Sequence, residues 1–260
     1  MWSNWWRRRR ARQLVWDRSL QHSLIAQLPT LAALPPSDHR RLAELTAEFL
    51  VDKRFFGADG LTLEPRHLIT IATLACWPIL RLGYDALRGW RELIVYPGDF
   101  SSQREVAEPI GDLELVHEYT EALSGESWDR GPLVLGWEAI CEDLQHPEDG
   151  VSVVIHEIAH KLDARTGQTD GLPLLPRPMS VNDWSQTMSS AFAGFQATVE
   201  RADPGEQAVL DPYAAESPAE FFAVCSEAYC LRPDLLRGSL PSVYALLDQY
   251  YGLVPERATT

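Results

Sequence analysis

The chain has no Cys-x-x-Cys pair, no Gly/Ser-rich tract, no internal repeat and no apolar run long enough to cross a bilayer. Each absence removes a class of explanation. Cys76, Cys141, Cys225 and Cys230 are scattered, and 260 residues can build a core without covalent staples. They read as small buried hydrophobes in a reducing cytoplasm. The longest apolar run, Leu68 to Leu80, is interrupted by Pro78 and falls short of the roughly 20 residues a spanning helix needs, which predicts a core helix instead. Without linker or repeat, the simplest organisation is one domain over 21–260 behind a tail at 1–20. That domain is helical over 21–92 and carries the sheet and the catalytic part over 93–260. Positive charge is also scarce: a formal net charge of −14 argues against direct nucleic-acid binding.

The basic residues that exist are concentrated at one end. Trp2, Trp5 and Trp6 precede Arg7, Arg8, Arg9, Arg10 and Arg12. This is not a secretion signal, because the following stretch from Ala11 to Gln21 is broken by Gln13, Asp17, Arg18 and Gln21. It reads as a solvated tail, with weak contact to anionic lipid or an acidic partner as the second reading.

The most specific feature is the pentad His156, Glu157, Ile158, Ala159, His160. Positions four apart share a helix face, so two imidazoles can converge on one metal ion while Glu157 addresses the attacking water. The run Val151 to Ile155, with Ile158, Ala159 and Leu162 behind it, predicts a buried helix ending near Gly167. Two surface histidines beside a solvated glutamate are the bland alternative. An apolar helix has little reason to bury that trio unless a cation neutralises it. The pentad therefore predicts a zinc hydrolase holding one Zn²⁺ per chain.

Periodicity places helices over Leu42 to Phe55, Pro65 to Leu80, Trp137 to Leu144, Val151 to Arg165, Val181 to Glu200, Pro218 to Leu231 and Ser242 to Tyr251. Leu93 to Tyr96 is a strand closed by Pro97 and Gly98, and alternation between Ile110 and Trp137 predicts antiparallel strands, including Leu133 to Leu135. The predicted fold is α+β: mostly helical, with a small antiparallel or mixed sheet beside the metal helix. The Leu133 to Leu135 strand could offer an edge to an extended peptide.

A zinc ion with an open position for water needs a third protein ligand. One arrangement continues the motif with Gly three residues after the second His and His or Asp three beyond. Asp163 and Thr166 stand there and exclude it. The other takes a Glu from a second helix. Ser217 as cap and Pro218 in the first turn place Glu220 at such a helix start, with Glu216 and Glu227 as alternatives. Asp163 either braces the site or ends the metal helix. His22, His39, His67, His117 and His146 stand alone, without ligand spacing.

IHEIAHKLD at 155–163, DPYAAESPAEFFAVCSE at 211–227, LIVYP at 93–97 and GPLVLGW at 131–137 together resemble the Mlc titration factor A family of bacterial zinc peptidases. The resemblance runs over nearly the whole chain, including the early segments Phe49 to Arg54 and Leu74 to Gly83. The catalytic part is also similar to the protease domain of anthrax lethal factor. This implies a zincin-like fold of gluzincin type, in which His156, His160 and Glu220 hold zinc, Glu157 is the general base and Tyr213 is the active-site tyrosine. It further implies aminopeptidase-type activity on a peptide substrate. As a second function it implies capture of a transcriptional repressor of the Mlc type that controls sugar uptake. The usual gluzincin acid that orients a histidine lies four positions after the ligand Glu. Here that position is Val224, so the motif does not identify the brace.

Overall fold

A computed structural model describes residues 11, 14, 16–98, 131–201 and 209–253. The Trp/Arg cluster, His117 and most of the predicted strand region between Ile110 and Trp137 lie outside the described residues. In chain order the elements are α1 (Arg18–Gln27), α2 (Pro29–Ala32), α3 (Pro36–Asp52), β1 (Arg54–Gly57), α4 (Pro65–Cys76), β2 (Glu92–Tyr96) and β3 (Leu133–Gly136). They continue with α5 (Trp137–Gln145), α6 (Val153–Asp163), α7 (Val181–Val199), α8 (Pro218–Leu231), α9 (Pro233–Ser239) and α10 (Pro241–Tyr251). The α+β class, mostly helical with a small sheet, is as the sequence predicts. Among the described residues no helix is long and apolar enough to cross a membrane.

Among the described residues the sheet runs β1-β2-β3 with both pairings parallel, where the sequence predicts an antiparallel or mixed sheet. Arg54 pairs with Glu92 and Gly57 with Val95; Leu93 pairs with Leu133 and Tyr96 with Gly136. The cause is connectivity. Helix α4 carries the chain from the end of β1 back to the start of β2, and such a crossover yields parallel neighbours where a tight hairpin would yield antiparallel ones. Alternation within a strand reports which face is buried and carries no information about the direction of its neighbour.

Two helix ends also differ from the periodic pattern. Helix α3 stops at Asp52, and Lys53 to Gly57 become extended. Lys53 turns inward, donating to the carbonyls of Leu87 (2.6 Å) and Trp90 (2.8 Å) and standing 3.7 Å from the Trp90 ring centre. Helix α4 ends at Cys76 because Pro78 cannot donate to the next helical bond.

Helix α8 is the centre of the core. Apart from its first turn it is buried all round, from Phe221 to Leu231, as expected of a helix with apolar residues on every face. Phe221 packs near Phe195 of α7 and Phe222 near Trp184, with Tyr250 of α10 closing the group. The apolar face of α6, Val154, Ile155, Ile158, Ala159 and Leu162, is fully inside this core.

The chain has two lysines, and both are buried against Trp90. Lys161 of α6 lies 5.6 Å from the Trp90 ring centre and donates to the Gly131 carbonyl at 3.0 Å, fastening α6 to the entry of β3. Lys53 also sits 3.5 Å from the Asp52 carboxylate, which accepts from the Tyr84 hydroxyl at 3.0 Å. Removing this ammonium takes a neighbouring cation from a buried carboxylate and one donor from each of two carbonyls. Lys53→Met should therefore lower unfolding free energy by roughly 3–5 kcal/mol, and Asp52→Asn in the same chain should recover part of it. Urea unfolding of the single and double variants measures both. A loss below about 1 kcal/mol in Lys53→Met would show that the contacts carry no stability.

Candidate metal centre

Ser152 starts α6 in an extended conformation and caps it by accepting from the Ile155 amide. The apolar residues fix which side faces the core, so His156, Glu157 and His160 emerge together on a half-buried face. The two imidazole ring centres are 4.7 Å apart. Helix α8 begins as its sequence dictates: Ser217 accepts from the Glu220 amide at 3.2 Å and Pro218 occupies the first turn. That puts the Glu220 carboxylate opposite the imidazoles.

Three atoms converge there. His156 Nε2 and His160 Nε2 are 3.0 Å apart, and Glu220 Oε2 lies 3.0 Å from the first and 3.2 Å from the second. The whole group fits within 4.8 Å. Two imidazole nitrogens and one carboxylate oxygen aimed at a common point form a donor set suited to a divalent ion such as zinc. The electrostatics agree. Burial works against charge on His156, yet hydrogen bonds to Glu220 and Glu227 outweigh it and push its pKa up to about 10. Burial likewise works against the Glu220 carboxylate, but the hydrogen bonds from His156 and His160 hold it down at about 2. The site favours bound positive charge.

The sequence-predicted residues fall into three groups. His156, His160 and Glu220 meet at one point, with Glu157 beside them on the same helix face. Tyr213 lies in a 3₁₀ turn, Pro212–Ala215, whose start is capped by Asp211, and its ring centre is 6.0 Å from that of His156. It is 39% exposed, so it borders the site from the open side. Of the alternatives to Glu220, Glu216 is exposed ahead of α8. Glu227, two turns beyond Glu220, is buried and bonds His156 Nδ1 at 2.8 Å and the Ser152 amide at 2.6 Å. This contact is what the motif had not located. Its signal was present as the single carboxylate within the apolar stretch from Phe221 to Leu231.

Asp163 ends α6, fully buried, and its Oδ2 accepts from the Gly171 amide at 2.8 Å. Burial pushes its pKa up to about 6, partly offset by that amide. It anchors the loop after the metal helix. Among the lone histidines, His67 closes a capping box with Glu64, His39 bonds the Leu31 carbonyl, and His22 and His146 are exposed. All four cysteines are free; Cys76, Cys225 and Cys230 are buried and Cys141 is partly so.

Known proteins resemble this chain over most of its length. The sequence profile of the glucose-regulated metallo-peptidase M90 family matches residues 2–252. Mlc titration factor A of Pectobacterium atrosepticum is 39% identical over 238 residues, covering 90% of this chain and 86% of that protein. The protein of the same name from Klebsiella pneumoniae strain 342 is 37% identical over 241 residues, 92% of this chain and 86% of its own length. That of Escherichia coli O139:H28 is 35% identical over 240 residues, 92% and 85% respectively.

The loop after α6 is what seats the first turn of α8. Gly171 has φ +79°, and a Cβ built there would stand 2.5 Å from the Pro218 carbonyl oxygen. Its own carbonyl accepts from the Trp184 indole at 2.8 Å. Gly171→Ala combines a left-handed backbone with an overlap against the turn that carries Glu220, so it should destabilise the fold by about 2–4 kcal/mol. Denaturant unfolding measures this, and a change within about 0.5 kcal/mol would mean that the loop yields freely.

Proposed function

The chain belongs to the glucose-regulated metallo-peptidase M90 family, and from that membership we propose that it is a zinc-dependent peptidase acting through His156, Glu157, His160, Glu220 and Tyr213. The convergence of the two Nε2 atoms and Glu220 Oε2 within 4.8 Å supports this reading above any other observation. His156, His160 and Glu220 hold one zinc ion. When bound, zinc supplies a Lewis acid that polarises the scissile carbonyl and brings the pKa of water toward neutrality.

The remaining work belongs to the chain's own side chains. Glu157 takes the proton of the attacking water and returns it to the leaving amine, a role its place beside His156 on the same helix face permits. Tyr213, at the open border, donates a hydrogen bond to the oxyanion that develops on the carbonyl. An extended peptide adds along the β3 side of the sheet, at the end of the strand order among the described residues. Aminopeptidase-type, gluzincin chemistry is the finer reading, and it rests on the motif resemblance. Cytoplasmic location is part of the same proposal.

A second reading is favoured by one observation, the shared name of the relatives, Mlc titration factor A. In that reading the chain binds a repressor of the Mlc type and so regulates transcription. An intact pentad facing a third donor argues that binding, if it occurs, is added to catalysis and does not replace it.

Metal analysis should return about one zinc per chain in both the wild type and Glu157→Gln, with peptide hydrolysis falling by about 100-fold or more in the variant alone. Glu220→Ala should lose most of the metal. Unchanged metal content in that variant would remove Glu220 from the ligand set, and a wild type that holds zinc yet cuts no peptide would favour the regulatory reading.

A further inference from the structure

We infer that Glu227 is the positioning residue of this centre: it fixes His156 in the tautomer that presents Nε2 as a ligand, and only a carboxylate can do so there. The inference rests on the metal-centre reading above.

Donors and acceptors decide which side chain can stand there. Glu227 Oε2 accepts from the Ser152 backbone amide at 2.6 Å, and Oε1 lies 2.8 Å from His156 Nδ1. An imidazole that offers the Nε2 lone pair to a metal must carry its proton on Nδ1. Both partners of Glu227 are then N–H donors, and a carboxylate answers both because each of its oxygens accepts. A glutamine of the same shape cannot. Whichever way its amide is turned, the NH₂ group faces one of the two donors. Either the Ser152 amide loses its acceptor, or His156 is driven to the other tautomer, with the proton on Nε2 where the metal should bind.

The carboxylate is held firmly enough to impose this choice. Its side chain is 5% exposed and lies on the innermost helix of the core, two turns from Glu220. Its neighbour at the same helix start provides a comparison. Asp143 Oδ2 accepts from the Val153 amide at 2.7 Å, so α6 is pinned at its first two amides by carboxylates from two other helices. Of these described contacts, only that of Glu227 also reaches an imidazole. An asparagine at 143 can keep its single acceptor.

The test uses the full chain. Zinc affinity is measured by competition with a chromophoric chelator for wild type, Glu227→Gln and Asp143→Asn, alongside the visible spectrum of the cobalt-substituted forms. Glu227→Gln should bind zinc about 10–100-fold more weakly and shift the cobalt bands, while Asp143→Asn stays within about threefold. Glu227→Gln within threefold of wild type would overturn the inference. So would an equal loss in Asp143→Asn, since both residues would then act only as helix caps. Should Glu227→Gln fail to fold, ¹⁵N NMR of the zinc-loaded wild type decides: a slowly exchanging proton on His156 Nδ1 is expected, and a bare Nδ1 refutes the assignment. Absence of zinc binding in the wild type would instead bring down the metal-centre reading itself, and this inference with it.

Discussion

Two histidines one turn apart on α6 and two glutamates two turns apart on α8 must meet at the half-buried edge of an apolar core, and much of the described fold serves that meeting. Burying four such groups is costly unless each finds a partner of opposite character. The solution is reciprocal. His156 is held between Glu220 on its Nε2 side and Glu227 on its Nδ1 side, while Glu220 also reaches His160. Two imidazole nitrogens and a carboxylate oxygen aimed at a common point form a donor set that would suit a divalent ion. An ion bound to this folded arrangement would stabilise it by mass action and so couple metal binding to helix packing.

The direction of the two helices follows from the same contacts. Glu220, early in α8, touches His156 and His160; Glu227, later in α8, touches His156 and the amide of Ser152 at the start of α6. Moving forward along α8 is moving backward along α6, so the helices run antiparallel. This arrangement brings a buried carboxylate to the positive end of the α6 dipole, where anionic charge is favoured. Asp143 does the same one amide further on. The lysine pair at Trp90 supports α6 from the sheet side, and the Asp163–Gly171–Trp184 chain of hydrogen bonds secures its far end.

What the sequence disclosed was what depends on local pattern. The span of α8 from Pro218 to Leu231 was readable from the Ser-Pro start and the unbroken apolar run, and α6 differs from its predicted limits by two residues at each end. The convergence of His156 and His160 was readable because helix periodicity fixes where each side chain points, and that of Glu220 from its helix start together with the family resemblance. The direction of the strands was not, since it depends on the α4 crossover and not on the residues within a strand. The early end of α3 was hidden for a related reason: Lys53 leaves the helix to reach carbonyls more than thirty residues away. Both depend on contacts that periodicity does not encode.

The acid that orients the first histidine is the most instructive case. The familiar spacing expects it one turn after the ligand glutamate, yet Val224 fills that position and is buried. Four residues carry a helix about 40° past a full turn, whereas seven fall about 20° short of two turns. Glu227 is therefore more nearly in line with Glu220 than position 224 is, and about 10 Å along the axis. That displacement is what lets a single carboxylate reach both Nδ1 of His156 and the first free amide of α6. A brace one turn after Glu220 would lie closer to the metal-facing side of the ring and farther from Ser152. The longer spacing thus joins two tasks, orienting the ligand and closing the helix start, in one residue. The rest of α8 from Phe221 onward is apolar apart from Ser226, whose hydroxyl is satisfied by the Phe222 carbonyl and the Tyr251 hydroxyl, and the Tyr229 hydroxyl, which donates to Asp248.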